Sequence, residues 1–114
     1  MQSIKADQAV RYENSKACVA FEYEFPDERD IDGAVVEING RYPEGLATNE
    51  VCKELIHVLE GSGTLTCDGR VIMLTQGDAA LIQPNEKYFF EGTLKLFIAS
   101  SPAWYKAQHK LIHS

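Results

Sequence analysis

Between Val19 and Phe25 the chain alternates, with Val19, Phe21, Tyr23 and Phe25 on one parity and Ala20, Glu22 and Glu24 on the other. A period of two marks a strand with one buried face, and here the odd positions are the larger apolar ones. Pro26-Asp27 stops the run, because proline removes a ladder donor. Asp30-Ile31-Asp32-Gly33 then predicts a turn. Ala34–Tyr42 is the next strand, and Pro43-Glu44-Gly45 bends the chain after it. Leu55–Glu60 is short and apolar and is closed by Gly61-Ser62-Gly63. Thr64–Cys67 and Val71–Leu74 flank Asp68-Gly69, a strong hairpin signal because glycine accepts positive φ without steric cost. Gly77-Asp78 turns the chain into Ala79–Gln83. Pro84-Asn85-Glu86 turns it again into Tyr88–Glu91, and Leu94–Ser100 is the last clear strand. Only Ala103–Ile112 has helical character, behind Pro102, a place where proline is tolerated. Many short strands with little helix predict an all-β sandwich or closed barrel.

Composition narrows the picture. A chain of 114 residues with 45% apolar content fits one domain, 1–114, with one core. Net charge is −6, and no Lys/Arg stripe forms, which argues against nucleic acid and anionic lipid as partners. Met1-Gln2-Ser3-Ile4-Lys5 lacks the apolar run of a signal peptide, and no stretch is long and apolar enough to span a membrane. The three cysteines, Cys18, Cys52 and Cys67, form no C-x-x-C pair. An odd number of thiols suits a reducing cytoplasm better than a disulfide framework.

Two stretches carry a family likeness. The first runs from Gly40-Arg41-Tyr42-Pro43 through Asn49-Glu50-Val51-Cys52-Lys53-Glu54 to Gly61-Ser62-Gly63. The second is Gly77-Asp78-Ala79-Ala80-Leu81-Ile82-Gln83-Pro84-Asn85-Glu86-Lys87-Tyr88. They resemble the two motifs of the cupin superfamily, in order, over roughly the middle half of the chain. Motif 1 falls at about 40–63 and motif 2 at about 77–92, followed by a tail, 101–114. The resemblance implies a double-stranded β-helix, or jelly-roll barrel. Within it, Glu54 and Gly61 match the second half of the first motif. Gly77-Asp78 fits the second motif, with the proline displaced by one residue to Pro84.

In metal-bearing cupins the resemblance implies three histidines and one glutamate around a divalent ion. Here only Glu54 remains. With three residues before that glutamate, the first two histidine positions fall on Thr48 and Glu50; with four, on Ala47 and Asn49. The last falls on Tyr88. His57, His109 and His113 lie elsewhere. Imidazole is what suits iron, zinc, copper and nickel, whereas Glu50, Glu54 and Tyr88 offer oxygen. Two carboxylates suit Mg²⁺, Mn²⁺ or Ca²⁺ only weakly, and a Cys52 thiolate would shift the preference toward zinc. The expectation is no tight metal site, with a divalent ion as the alternative. Glu50 and Glu54 are the weak metal candidates.

Glu50 and Glu54 would stand about 13 Å apart in a straight strand. A turn through Val51-Cys52-Lys53 would bring them to one pocket mouth, where one would hold its proton near neutral pH and serve as a general acid or base. The plainer alternative makes Glu50 a solvated loop residue and bonds Glu54 to backbone or to Arg41. Tyr88, Phe90 and Ile82 point inward as core, as pocket wall, or as both. Cys52 beside carboxylates has a raised pKa, which opposes a reactive thiolate. His57 has the opposite parity to Glu54 and faces outward. His109 and His113 would share a face if the tail were helical, and Trp104 and Tyr105 staple that tail to the barrel.

The expected function is therefore a small-molecule-binding domain whose site, Glu50, Cys52, Glu54, Tyr88 and Phe90, lacks histidine. The alternative is an isomerase or epimerase acting on a polar or sugar-like substrate, with Glu54, Glu50 and Tyr88 as catalytic candidates. A third is a structural protein with a filled barrel. A homodimer is expected from the resemblance and from the open sheet edges.

Overall fold

The structure, a computed structural model, describes residues 1–112. Its strands are β1 (Val10–Ser15), β2 (Cys18–Tyr23), β3 (Asp32–Asn49), β4 (Lys53–Cys67), β5 (Arg70–Thr75), β6 (Ala79–Ile82), β7 (Tyr88–Ser101) and β8 (His109–Ile112). The helical turns among the described residues are two single 3₁₀ turns, Ala6–Gln8 before β1 and Lys106–Gln108 before β8. All pairings are antiparallel, in the order β1-β2-β3-β7-β4-β5, with β6 added to β4 and β8 to β3. The fold is the all-β barrel that the strand spacing and the motifs predict.

The segments expected to stop at glycines run through them. β3, β4 and β7 are long because each bends from one wall of the barrel into the other. They bend in register: Gly40 pairs with Gly92, and Gly92 pairs with Gly63. A Cβ on Gly92, whose φ is +133°, would lie 2.6 Å from the Gly63 Cα. Glycine here allows two backbones to cross at a corner. One wall is then β1-β2-β3-β7-β4-β6, built on the early half of β3, the late half of β7 and the early half of β4. The other is β8-β3-β7-β4-β5. The Asp68-Gly69 hairpin forms as expected, both residues taking positive φ between Cys67 and Arg70.

The core lies between the walls in cross-strand rows. Ala20, Val36, Leu96 and Val58 form one row, and Cys18, Ile38 and Leu94 form the next. Ile82 of β6 adds to this wall, and Leu65, Phe90 and Leu74 fill the space from the other one. Two expectations are corrected. On β2 the even face is the inner one: Cys18 and Ala20 are buried, while Phe21 and Tyr23 are half-buried on the outside. The inner face takes small residues there, and the outer face has an apolar neighbour in Phe97, whose ring covers Gly33. The tail is not a helix. It crosses the barrel mouth and returns as β8 along β3, with Asn49 opposite His109. The expected His109–His113 helical pair therefore does not form through His109, and His113 itself lies outside the described residues. Among the described residues no helix is long and apolar enough to cross a membrane.

Candidate functional site

One row of the inner face is polar. Asp32 on β3 pairs with Ser100 on β7, and Ser100 pairs with Glu54 on β4. Glu22 sits one row deeper, opposite Ala34. Strand register alone therefore gathers three carboxyls and a hydroxyl at one end of the barrel.

Glu54 is the hub. It is 7% exposed. Its Oε1 accepts from Asn49 Nδ2 at 2.8 Å and from the Tyr88 hydroxyl at 3.2 Å, and its Oε2 accepts from Ser100 Oγ at 3.4 Å. Burial raises its pKa, although the bonds from Tyr88, Asn49 and Ser100 pull the other way. Its carboxyl is thus a reluctant acid held in a fixed pose. Tyr88 is held well above the ordinary tyrosine range by burial and by the neighbouring Glu54 charge, so its hydroxyl keeps its proton and donates. Its ring meets Phe90 edge-on at 5.8 Å.

The tail completes the cluster. Asn49 Oδ1 accepts from Trp104 Nε1 at 3.2 Å, from Gln108 Nε2 at 2.9 Å and from His109 Nδ1 at 2.9 Å. Indole N–H only donates, so Trp104 fixes the orientation of this amide: oxygen toward the tail, nitrogen toward Glu54. Burial lowers the His109 pKa, which favours the neutral ring, and the Asn49 oxygen 2.9 Å away, which can only accept, places its proton on Nδ1. Gln108 Oε1 accepts from the backbone N–H groups of Val51 and Cys52, each at 3.2 Å. The Trp104 backbone N–H donates to Asp32 at 3.0 Å.

Several expected site residues stand elsewhere. Glu50 is exposed, and its backbone N–H donates to the Gln108 carbonyl at 2.8 Å. Its carboxylate takes no part in the cluster, because Gln108 pins the loop with that side chain outward. Of the two spacings, the one with four residues before Glu54 names inward-facing residues: Ala47 and Asn49 are buried and Asn49 bonds Glu54, whereas Glu50 is exposed. Cys52 is buried, with its thiol toward the Ala103 carbonyl at 3.9 Å, and burial lifts its pKa to about 11, with Glu54 and Asp32 adding to the effect. Arg41 does not reach Glu54; it donates to the Pro43 and Gly45 carbonyls and stacks 3.6 Å over Phe89. His57 is exposed, as its parity implies.

Other members were not foreseen. Asp32 lies in a stretch whose sequence predicts a turn, Glu22 shares the parity opposite the larger apolar residues, and Gln108 and Ser100 belong to no motif. Glu22 is half-buried and lifted to about 7 by burial and then by Asp32, Glu24 and Glu54. Asp32 is raised by burial, against bonds from Trp104 and Ser100. The neighbouring charges that raise Glu22 and Glu54 are those of other carboxylates.

These residues do not fit a divalent metal. Ala47 offers no donor atom, the Asn49 oxygen is already surrounded by N–H groups, and Tyr88 resists ionisation. Among the described residues no three His, Cys, Asp or Glu side chains form a metal-binding group.

A cavity of about 160 Å³ opens outside the cluster, walled by Tyr23, Phe25, Glu28, Asp32, Ala103 and Trp104. A larger open cleft of about 450 Å³, near Lys16, Glu37, Glu60 and Lys95, lies at the other end of the wall. Cys18 and Ile38 line it, and Ile38 is about 20 Å along β3 from Asp32. It shares no group with the Glu54 cluster, whose chemistry and buried polar atoms make it the better site candidate despite the smaller opening.

Residues 35–95, more than half of the chain, match the cupin domain family. No curated protein matches the sequence. Solved structures of the same shape include a variant of Pac13 from Streptomyces with uridine, at 13% identity and a TM-score of 0.89, covering 99% of this chain and 92% of that one. Pac13 is described as a unique nucleoside dehydratase. KdgF from a Halomonas species has 12% identity and a TM-score of 0.75, covering 90% and 94% of the two chains. An RmlC-like cupin from Shewanella frigidimarina has 17% identity and a TM-score of 0.73, covering 88% and 89%. At such identities the likeness is one of fold alone.

Proposed function

The chain belongs to the cupin family, and from that premise we propose that it binds a small uncharged molecule, rich in hydroxyl or N–H donors, at the acidic end of its barrel without a metal. The observation that carries this is the Glu54 cluster: a buried carboxyl posed by Asn49, Tyr88 and Ser100, with Asp32 and Glu22 beside it. Carboxyl groups gathered together accept from a ligand's O–H and N–H groups and repel its anions. A protein of similar shape solved with uridine supports a ligand of that class. The test is isothermal titration with uridine and with uridine monophosphate, alongside mass spectrometry of small molecules released from freshly purified protein. Saturable binding of uridine, or release of a neutral polyol or nucleoside, supports the reading. Preference for the phosphate, or a barrel that neither binds nor releases anything, refutes it.

A second reading rests on Glu22. A carboxyl near pKa 7 beside a buried, reluctant Glu54 is the kind of pair that exchanges protons with a substrate at neutral pH. It would make the chain an isomerase or epimerase, with Glu22 in the role expected of Glu50. Deuterium exchange from D₂O into a bound sugar, abolished in both Glu22→Gln and Glu54→Gln, is the mark of that activity.

We also infer a homodimer in a cytoplasmic setting. The three free thiols support the reducing location. The outer face of the larger wall supports the dimer. Tyr23, Ala99, Leu55 and Leu81 align across it, with Phe21, Val35 and Phe97 in the next row. Leu55 and Leu81 are 50% and 53% exposed.

A further inference from the structure

The Glu54 cluster is closed. Asn49, Ser100, Tyr88 and Glu54 are 2%, 3%, 6% and 7% exposed, so a ligand that uses them has to displace something. We propose that the Trp104 side chain is the gate: a swinging wall between the outer cavity and the Glu54 cluster. This rests on the reading that the acidic end of the barrel receives a ligand.

The geometry singles out Trp104 within the strap that crosses the mouth. Trp104 and Asp32 line the outer cavity, and both also touch the inner cluster. The strap around Trp104 is anchored on both sides. Ser101 Oγ donates to the Asp30 carbonyl at 3.0 Å, and the Ala103 N–H donates to the Arg29 carbonyl at 3.0 Å. Gln108 is tied to Asn49, Glu50, Val51 and Cys52, and β8 follows it. The indole has far less. One hydrogen bond of 3.2 Å and a tilted contact with the His109 ring at 5.4 Å hold it, and Trp104 is 36% exposed.

Its single bond is also redundant. A carbonyl oxygen has two lone pairs, and Asn49 Oδ1 has three N–H partners. When the indole leaves, Gln108 and His109 still satisfy that oxygen, both at 2.9 Å. Opening therefore strands no buried polar atom, which is the usual penalty for breaking an interior hydrogen bond. No other member of the cluster can leave on those terms: removing Asn49, Tyr88 or Ser100 takes a donor from Glu54.

Cys52 reports on the gate without any ligand. Its thiol lies under the strap against the Ala103 carbonyl and is 1% exposed. Cys18, 2% exposed, lines the cleft at the other end of the wall and serves as the internal control. Burial holds both thiols at about 11, so a difference in their rates reports access rather than acidity.

Wild type, Trp104→Phe and Trp104→Ala are alkylated with iodoacetamide under native conditions, and each cysteine is followed by peptide mass mapping. Local opening at the gate predicts that Cys52 reacts about tenfold faster or more in Trp104→Ala, with Cys18 unchanged. Trp104→Phe, which keeps a ring and loses the N–H, falls between the two. An unchanged Cys52 overturns the gate. So does a parallel rise of Cys52 and Cys18, which is what general unfolding gives; Trp104→Phe keeps the test usable if the alanine variant folds poorly. Uridine added to wild type is a separate readout: protection of Cys52 supports the ligand reading. Its absence, with the gate result intact, counts against uridine-type ligands alone.

Discussion

Glu22 gives the sharpest quantitative test. Its pKa rises from 4.5 in the free side chain to about 7 in the fold, through burial first and then the charges of Asp32, Glu24 and Glu54. A raised pKa means that the folded state holds the proton more tightly than the unfolded state. The stabilising contribution is complete below pH 4.5 and is lost as pH climbs toward 7. At about 1.4 kcal/mol per tenfold change in proton affinity, the unscreened loss is ~3 kcal/mol. Glu22 is only half-buried, and solvent screening reduces this to ~1–2 kcal/mol. Glu22 should therefore contribute that much to the stability that wild type loses between pH 4.5 and pH 8, measured by urea denaturation at fixed ionic strength. Glu22→Gln should flatten the curve and be the more stable protein at pH 8. Carboxyl-carbon NMR of Glu22 gives the midpoint directly. Parallel curves for wild type and variant, or a Glu22 midpoint below 5, would refute the claim that these carboxyls crowd one end of the barrel.

Three further predictions follow from other parts of the fold. Gly92→Ala should cost about 3 kcal/mol or more in chemical denaturation, because its φ of +133° and a Cβ 2.6 Å from the Gly63 backbone leave no relaxed conformation. Tyr88→Phe should cost ~1 kcal/mol by the same assay and raise the Glu54 pKa further, since it removes one of the bonds that lower it; a Glu54 carboxyl resonance that does not move would contradict this. Leu55→Asp should leave the fold intact by circular dichroism and shift the species seen by sedimentation from dimer to monomer.

The fold was legible because turn chemistry and short alternating runs survive in the sequence. Asp68-Gly69 specified its hairpin outright, and the cupin-like motifs placed Glu54 and Tyr88 inside the barrel. Strand lengths were not legible. Gly61, Gly63 and Gly92 carry the usual signal of a strand end, yet here they mark a corner where three strands pass close together. The distinction depends on which backbone lies opposite, and only the cross-strand register supplies that.

The site was half legible for a related reason. Alternation says which residues share a face, and size suggests which face is buried. On β2 that guess inverted, since Cys18, Ala20 and Glu22 face in while Phe21 and Tyr23 face out. The larger apolar residues lost the interior because the outer face offers its own apolar partners in Val35, Phe97 and Leu55. An apolar outside therefore explains an acidic inside: it frees the inner row for Glu22, Asp32, Ser100 and Glu54. The same logic covers the missing histidines. A metal centre collects its ligands around one ion, whereas here a tail residue from the other end of the chain, Gln108, threads back to hold Asn49 against Glu54. Nothing local in the sequence marks a glutamine 59 residues away as the partner of that asparagine. The barrel brings them together because β8 has one open edge of β3 on which to lie.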